Sequence, residues 1–466
     1  MTGGTESISP SNSQENGIPM TKLGPSSSPS NLSSKNLATE DGNAVSESKR
    51  NSTGMLASNE NADLSSKASL LLSRIQYLSL CFTLFLAGWN DGTIGPLLSR
   101  IQDVYHVNFT VVSTIFIFAC VGFIGGALLN IYATGKFGFG KVIVFGSVCQ
   151  IVAYAIQCAA PPFPVFVMTY TINGVGVALQ DAQANGFVAS LSRRPEAKMG
   201  ILHAAYGLGA FASPLVSTQF AVFPRWSFFF FVSLGLSVAN TIVLCLVFRF
   251  KDQDECLRQA GEVVADREPA ATEENAFTQV LRNKSTHIIA FFALVYVGVE
   301  VTIGGWIVTF IKDVRGGGPS SGYISSGFFG GLTVGRVALI WVNQFVGERR
   351  VMYIYALLSI GLELIIWLVP SLIGNAVAIS IVGVLLGPMF PIVVNQASRV
   401  IPRKILTASI GWIASFGQAG SAVFPFMTGA VAQKHGIHSL QPMLIAMMGF
   451  MTILWALVPN PARRTD

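Results

Sequence analysis

From about residue 75 onward the chain runs as apolar stretches of some twenty residues, separated by short polar or basic breaks. Helices are expected near 75–97, 110–132, 142–160, 163–191, 199–222, 226–248, 286–311, 322–346, 350–370, 373–398, 405–432 and 440–458. Each is long enough to cross a hydrocarbon layer of ~30 Å. The expected fold is an all-α integral membrane protein of twelve transmembrane helices in two six-helix bundles. Residues 1–73 read as a disordered cytosolic tail, 74–248 as the N-terminal bundle and 249–284 as a cytosolic central loop. Residues 285–460 read as the C-terminal bundle and 461–466 as a second cytosolic tail.

The halves resemble each other. Thr93-Ile94-Gly95 returns 209 positions later as Thr302-Ile303-Gly304, and at that offset Asp91 meets Glu300. Gly122 and Gly126 likewise meet Gly331 and Gly335, while Gly209 and Pro214 meet Gly420 and Pro425 at an offset of 211. Matches in three helix pairs, in order, indicate a parallel six-plus-six duplication with a binding site between the halves. The Gly-xxx-Gly pairs let helices approach closely.

Charge fixes the orientation and removes whole classes of function. Only 12% of the residues are Asp, Glu, Lys or Arg, about half the share in soluble domains. Twenty-six of the 54 charges lie in residues 1–73 and 249–284, leaving the spans nearly neutral. A soluble enzyme is excluded. So is a nucleic-acid binder, because the net charge of +6 sits in short loops and forms no basic face. With both termini cytosolic, twenty Lys and Arg flank the inside ends of the spans and five the outside ends. The start of the chain lacks a signal-peptide pattern, so the first span is expected to act as an uncleaved insertion signal. Asn31-Leu32-Ser33 and Asn51-Ser52-Thr53 fit the glycosylation pattern and read as chance matches in a cytosolic tail. Five of the six cysteines fall in spans and Cys256 in the central loop, so no disulfide framework is expected. No Gly-x-x-x-x-Gly-Lys-[Ser/Thr] segment occurs, which argues against an ATP-driven pump.

Five ionisable residues stand inside spans: Asp91, Asp181, Glu300, Arg336 and Glu363. Each costs about 2.5–3.5 kcal/mol at a helix centre, so each needs a partner or a wet cavity. A desolvated carboxylate takes a proton readily, which makes Asp91, Asp181 and Glu300 the candidates for proton coupling. Alternatively, each pairs with a cation or caps an opened turn. Arg336 and Glu363 fit a structural pair or a loop-facing position. Asp91 lies in Gly88-Trp89-Asn90-Asp91-Gly92, and span seven repeats that glycine-opened character around Glu300. Asp181 and Asn185, four apart, share a helix face. Asn90, Asn185, His203, Tyr206 and Gln418 are candidate hydrogen-bonding contacts to substrate; His203 also suits an interhelical bond. Trp89 and Trp306 are candidates for stacking on a substrate ring, as is Phe424.

Twelve spans in two halves with basic inside loops resemble the major facilitator superfamily. Asn90-Asp91 followed by Pro96-Leu97-Leu98, and Asp181-Ala182-Gln183-Ala184-Asn185-Gly186-Phe187, resemble its fucose–galactose–glucose proton symporter branch. That branch carries Glu where this chain has Asp181, and Gln with Asn-Pro-x-Gly where this chain has His203 and Tyr206-Gly207-Leu208-Gly209. Gly135-Lys136-Phe137-Gly138-Phe139-Gly140-Lys141 is similar to the superfamily's Gly-x-x-x-Asp-Arg-x-Gly-Arg-Arg loop but lacks its Asp. The pattern is most similar to fungal permeases of the bypass-of-stop-codon type. The resemblance implies a secondary transporter working by alternating access, with proton-coupled symport of a sugar or other small polar metabolite. A proton-independent facilitator or exporter, and a non-transporting nutrient sensor, stand as alternatives. The expected partners are a small-molecule substrate, protons and the lipid bilayer, with no cofactor, metal or nucleic acid. A monomer in the plasma or vacuolar membrane is expected.

Overall fold

The computed structural model describes residues 41–262 and 273–459. Two compact units are present, Met1–Asp63 and Leu64–Asp466. Of the first, residues 41–63 are helical; the part of the expected tail at 1–40, with Asn31, lies outside the described residues, as does 461–466. The second unit holds every span.

In oil an unpaired peptide group costs several kcal/mol, so each apolar stretch closes its hydrogen bonds within itself. The result is α1 Lys67–Tyr105, α2 Phe109–Phe137, α3 Phe139–Cys158, α4 Phe163–Ala189, α5 Pro195–Ala221 and α6 Trp226–Phe248. The second half holds α7 Lys284–Arg315, α9 Glu348–Leu368, α10 Leu372–Val400 and α12 Ile437–Leu457. Its α8 is a bent pair, Pro319–Ala338 and Ile340–Val346, turning by 52°, and α11 is Arg403–His435. Local chemistry sets several ends. Asn108, Asn283 and Ser371 side chains accept from the backbone N–H of Val111, Thr286 and Gly374, and Gly316 ends α7 in the left-handed region at φ 66°.

The duplication is written into the packing. Gly209 seats its α-carbon face on the Phe85 carbonyl, and Gly420 on that of Leu294. Gly122 meets Thr171 and Gly126 meets Val175, while Gly331 meets Ser380 and Gly335 meets Val384. The α5–α1 and α2–α4 contacts thus recur as α11–α7 and α8–α10, with 209 residues between Phe85 and Leu294 and between Thr171 and Ser380. Between halves, α2 packs on α11 and α5 on α8, a pair of seams that the same symmetry interchanges. Gly95 and Gly304, equivalent in the repeat, touch each other backbone to backbone.

The contacts that close the halves together gather at one end. Lys312 Nζ donates to Ser99 Oγ at 2.9 Å and the Phe109 N–H to Gln433 Oε1 at 3.1 Å. Gln219 bonds the Tyr323 hydroxyl, and Gly322 and Gly429 sit on Thr218 and Ser113. This end carries the α1–α2 and α7–α8 turns. At the opposite end His203, Ala408 and Ser415 are exposed.

At that opposite end the central loop is built onto the first half. A helix at Gln253–Gln259 buries Cys256 and Leu257, in a cluster with Leu80, Phe139 and Phe248, and the Ala260 that caps it is buried too. Gly140 N–H donates to the Lys251 carbonyl at 3.0 Å, and the Asp252 carboxylate lies against Gly138. An acid from another segment therefore reaches the α2–α3 loop that lacks its own. Glu262 accepts from the Ser192 N–H at 2.8 Å and from its hydroxyl. Residues 263–272 of the expected loop lie outside the described residues.

Candidate functional site

The expected opening of α1 is not found: the helix runs unbroken through Gly88 and Gly92, which seat it on the Tyr206 and Ala210 carbonyls of α5. It brings Asn90 and Asp91 to where the halves meet. Asp91 is exposed there, so it faces an open hollow. Its carboxylate is held by two donors: Tyr206 Oη at 2.6 Å from α5 and Asn90 Nδ2 at 3.1 Å. The Asn90 carbonyl in turn accepts from Tyr154 Oη at 3.3 Å and from Asn173 Nδ2. Asn90, Asp91, Tyr170, Asn173, Phe123 and Gln418 surround a cavity of about 70 Å³. Gln418 comes from α11, so both halves contribute. Its Nε2 donates to Ser421 Oγ at 3.2 Å, and its main-chain carbonyl accepts from Cys120 Sγ.

Across the hollow, Glu300 on α7 faces Arg336 on α8, with Nη2 to Oε1 at 3.9 Å. Arg336 Nε has no partner among the described residues. The Asp91 carboxylate lies within electrostatic reach of both Glu300 and Asp181, and His203 and Tyr206 lie within reach of Arg336. Asp181 is half-buried, and Asn185 Nδ2 donates to both its main-chain oxygen and its Oδ1 at 2.9 Å.

Trp89, Trp306 and Phe424 are elsewhere. Trp89 is 4% exposed, stacks on Phe229 at 5.8 Å and donates to Ser233 Oγ at 2.9 Å. Trp306 is fully buried, donates to the Pro425 carbonyl at 3.0 Å and packs on Phe109 and Phe116. Each indole satisfies its N–H inside the protein, which anchors the ring away from the hollow. The Phe424 ring rests on Gly298. Glu363 is fully buried, and neither carboxyl oxygen has a partner among the described residues. Tyr154, Tyr170 and Asn173 escaped the reading of the sequence. A central Asn in α4 was the available signal, but uncharged polar groups hardly interrupt an apolar stretch. Among the described residues no group of three or more His, Cys, Asp or Glu is placed to hold a metal ion.

Comparison with known proteins matches this arrangement. Residues 80–425 match the Major Facilitator Superfamily. The chain is 25% identical over 415 residues to Bypass of stop codon protein 6 of Saccharomyces cerevisiae, covering 84% of this chain and 83% of that protein. It is 21% identical to the glucose/mannose transporter GlcP of Bacillus subtilis, covering 75% of this chain and 85% of that protein. Among solved structures, a D-xylose-proton symporter superposes with a TM-score of 0.69 at 14% identity, covering 83% of this chain and 98% of that one. Two duplicated halves of membrane-length helices around one central hollow, together with the match over residues 80–425, mean that the chain belongs to the major facilitator superfamily and is a multi-pass membrane transporter.

Proposed function

We propose that this protein is a proton-coupled symporter of a sugar or a similarly hydroxylated small metabolite, working by alternating access. The observation that carries the reading is Asp91: a solvent-reached carboxylate inside the first span, at the seam between the halves, held by donors from α1 and α5. Asp91 binds and releases the coupling proton, with Asp181 as a second acceptor toward the open end. Glu300, facing Arg336, balances charge across the hollow. Asn90 and Gln418 contact the cargo, and Asn185 orients Asp181.

The names of two relatives support the class of cargo, since one is a glucose/mannose transporter and one a D-xylose-proton symporter. The excess of Lys and Arg at the open end supports cytosolic termini. In that orientation the hollow faces inward, and the end closed by Lys312 and Gln433 faces outward. Such a carrier suits the plasma or vacuolar membrane.

Reconstitution in liposomes with an imposed pH gradient tests the reading, with D-glucose, D-mannose and D-xylose as cargo. Asp91→Asn and Asp181→Asn are expected to cut gradient-driven accumulation at least about tenfold, a loss near 1.4 kcal/mol. Exchange of labelled for unlabelled sugar continues in both, because reorientation of the loaded carrier does not require a titrating group. Undiminished accumulation in both variants would falsify the coupling assignment.

A further inference from the structure

The wall that α4 gives to the cavity carries two polar atoms the protein leaves unanswered. Tyr170 is 4% exposed and Asn173 is 1% exposed, and both line the cavity. Neither Tyr170 Oη nor Asn173 Oδ1 has a hydrogen-bond partner among the described residues. The two residues are three apart on one helix and so share a face. Beside them, the Asn90 carbonyl is occupied by Tyr154 and Asn173, and one Asn90 N–H goes to Asp91, which leaves its second N–H for a ligand. Phe123 and Val177 supply apolar surface to the same cavity.

We propose that Tyr170, Asn173 and Asn90 form a hydroxyl-reading wall for an uncharged ring bearing neighbouring hydroxyls, whose C–H face lies against Phe123. A buried polar atom without a partner is costly, and native proteins leave few of them. A ligand hydroxyl both donates and accepts, so two adjacent ones answer an acceptor, a hydroxyl and an N–H together. The cavity holds no basic side chain to receive an anion. Both Asp91 oxygens already take a donor, so a hydroxyl competes there on better terms than in an empty carboxylate pocket. The repeat points the same way. At the offset of 209, Asn90 and Asn173 correspond to Val299 and Val382, so this wall exists in one half alone. The inference rests on the proposed sugar transport and adds the residues that choose among sugars.

The test uses the full chain in lipid nanodiscs, with binding of D-glucose, D-xylose and the 2-, 3- and 6-deoxyglucoses measured alongside the melting temperature of the empty protein. Tyr170→Phe removes the unpartnered hydroxyl and nothing else. It is expected to leave the empty protein's melting temperature unchanged or higher, and to weaken sugar binding about tenfold, the worth of one ligand hydrogen bond. At least one deoxyglucose loses its penalty in the variant, because the hydroxyl it lacks no longer has a reader. Asn173→Leu is expected to weaken binding further, since it also frees Asn90. A lower melting temperature with unchanged binding in Tyr170→Phe assigns the hydroxyl to the packing and overturns the proposal. Sugar binding that survives both substitutions overturns the wall and leaves sugar transport standing. Wild-type protein that binds none of these sugars overturns both.

Discussion

Asp91 has company that its sequence neighbours do not reveal. Tyr206, 115 positions away, gives its hydroxyl to one carboxylate oxygen, and Asn90 gives an amide proton to the other. Tyr206→Phe removes the first donor and is expected to lower sugar uptake roughly tenfold, consistent with losing a charge-assisted hydrogen bond. Its melting temperature stays near that of the wild type, which separates a functional loss from misfolding. Glu363 makes the opposite case. With no partner for either oxygen among the described residues in a fully buried position, it costs stability where it stands, so Glu363→Leu is expected to raise the melting temperature by about 2–4 °C. A fall would mean that Glu363 has a bound water or proton partner of structural worth. The charged members of the site were legible because charge in an apolar stretch is conspicuous. The tryptophans were not separable by the same logic, since a ring that stacks on Phe229 and one that stacks on a solute look alike in a string of letters.

Among the elements, lipid did most of the specifying. An apolar stretch in a membrane has one way to satisfy its backbone. Among the described residues ten helices are long and apolar enough to cross, and α8 joins them only as a bent pair. The α11 helix, Arg403–His435, is helical where a span was expected but falls short in apolar composition. Their ends were less visible. The first helix runs past the expected 75–97 at both ends, as Asp41–Tyr105, because polar and aromatic residues continue a helix beyond the oil. The bend of α8 at Leu339 has neither Pro nor Gly at the joint and left no mark in the pattern. Gly209 and Gly420 carry matching contacts on Phe85 and Leu294, so Gly209→Val and Gly420→Val should lower the melting temperature by similar amounts, each near the ~1–3 kcal/mol of an overpacked core. Unequal losses would show that the halves have diverged in how they tolerate strain. The central loop was read as a polar interruption, yet it buries Cys256 against the first half. Burial, reinforced by the Glu255 carboxylate, pushes the Cys256 thiol up to about 11. The thiolate is therefore scarce below that value, and N-ethylmaleimide at a pH of about 7.5, well under the ordinary thiol range, is expected to leave Cys256 unmodified in folded protein. Rapid labelling under those conditions would mean the loop detaches.

At the level of the whole molecule, duplication explains both the seams and the site. The α2–α11 and α5–α8 seams interchange under the repeat, so the pair can rock without either half deforming, as parallel repeats permit. The closed end depends on contacts such as Lys312 to Ser99. A short bifunctional cross-linker between Ser99→Cys and Lys312→Cys, with the native cysteines replaced, is expected to stop net uptake and to keep the hollow reachable by reagents from the cytosolic side. Continued uptake after complete cross-linking would place the moving gate elsewhere. The six-plus-six plan was legible from glycines and acids recurring at offsets of 209 and 211. Which end is shut was not, because that depends on pairs such as Phe109 and Gln433 whose partnership exists only once the halves have met.

The docking of Gln253–Gln259 and Glu262 onto the first half carries a manufacturing consequence. That segment is finished as part of the N-terminal half before any of the second has been made. Two separate genes, broken between codons 263 and 272, should then yield a pair of polypeptides that recognise one another in the bilayer and restore a working carrier. The same break moved upstream of Lys251 would deprive the first product of its base, and the pair should fail to assemble.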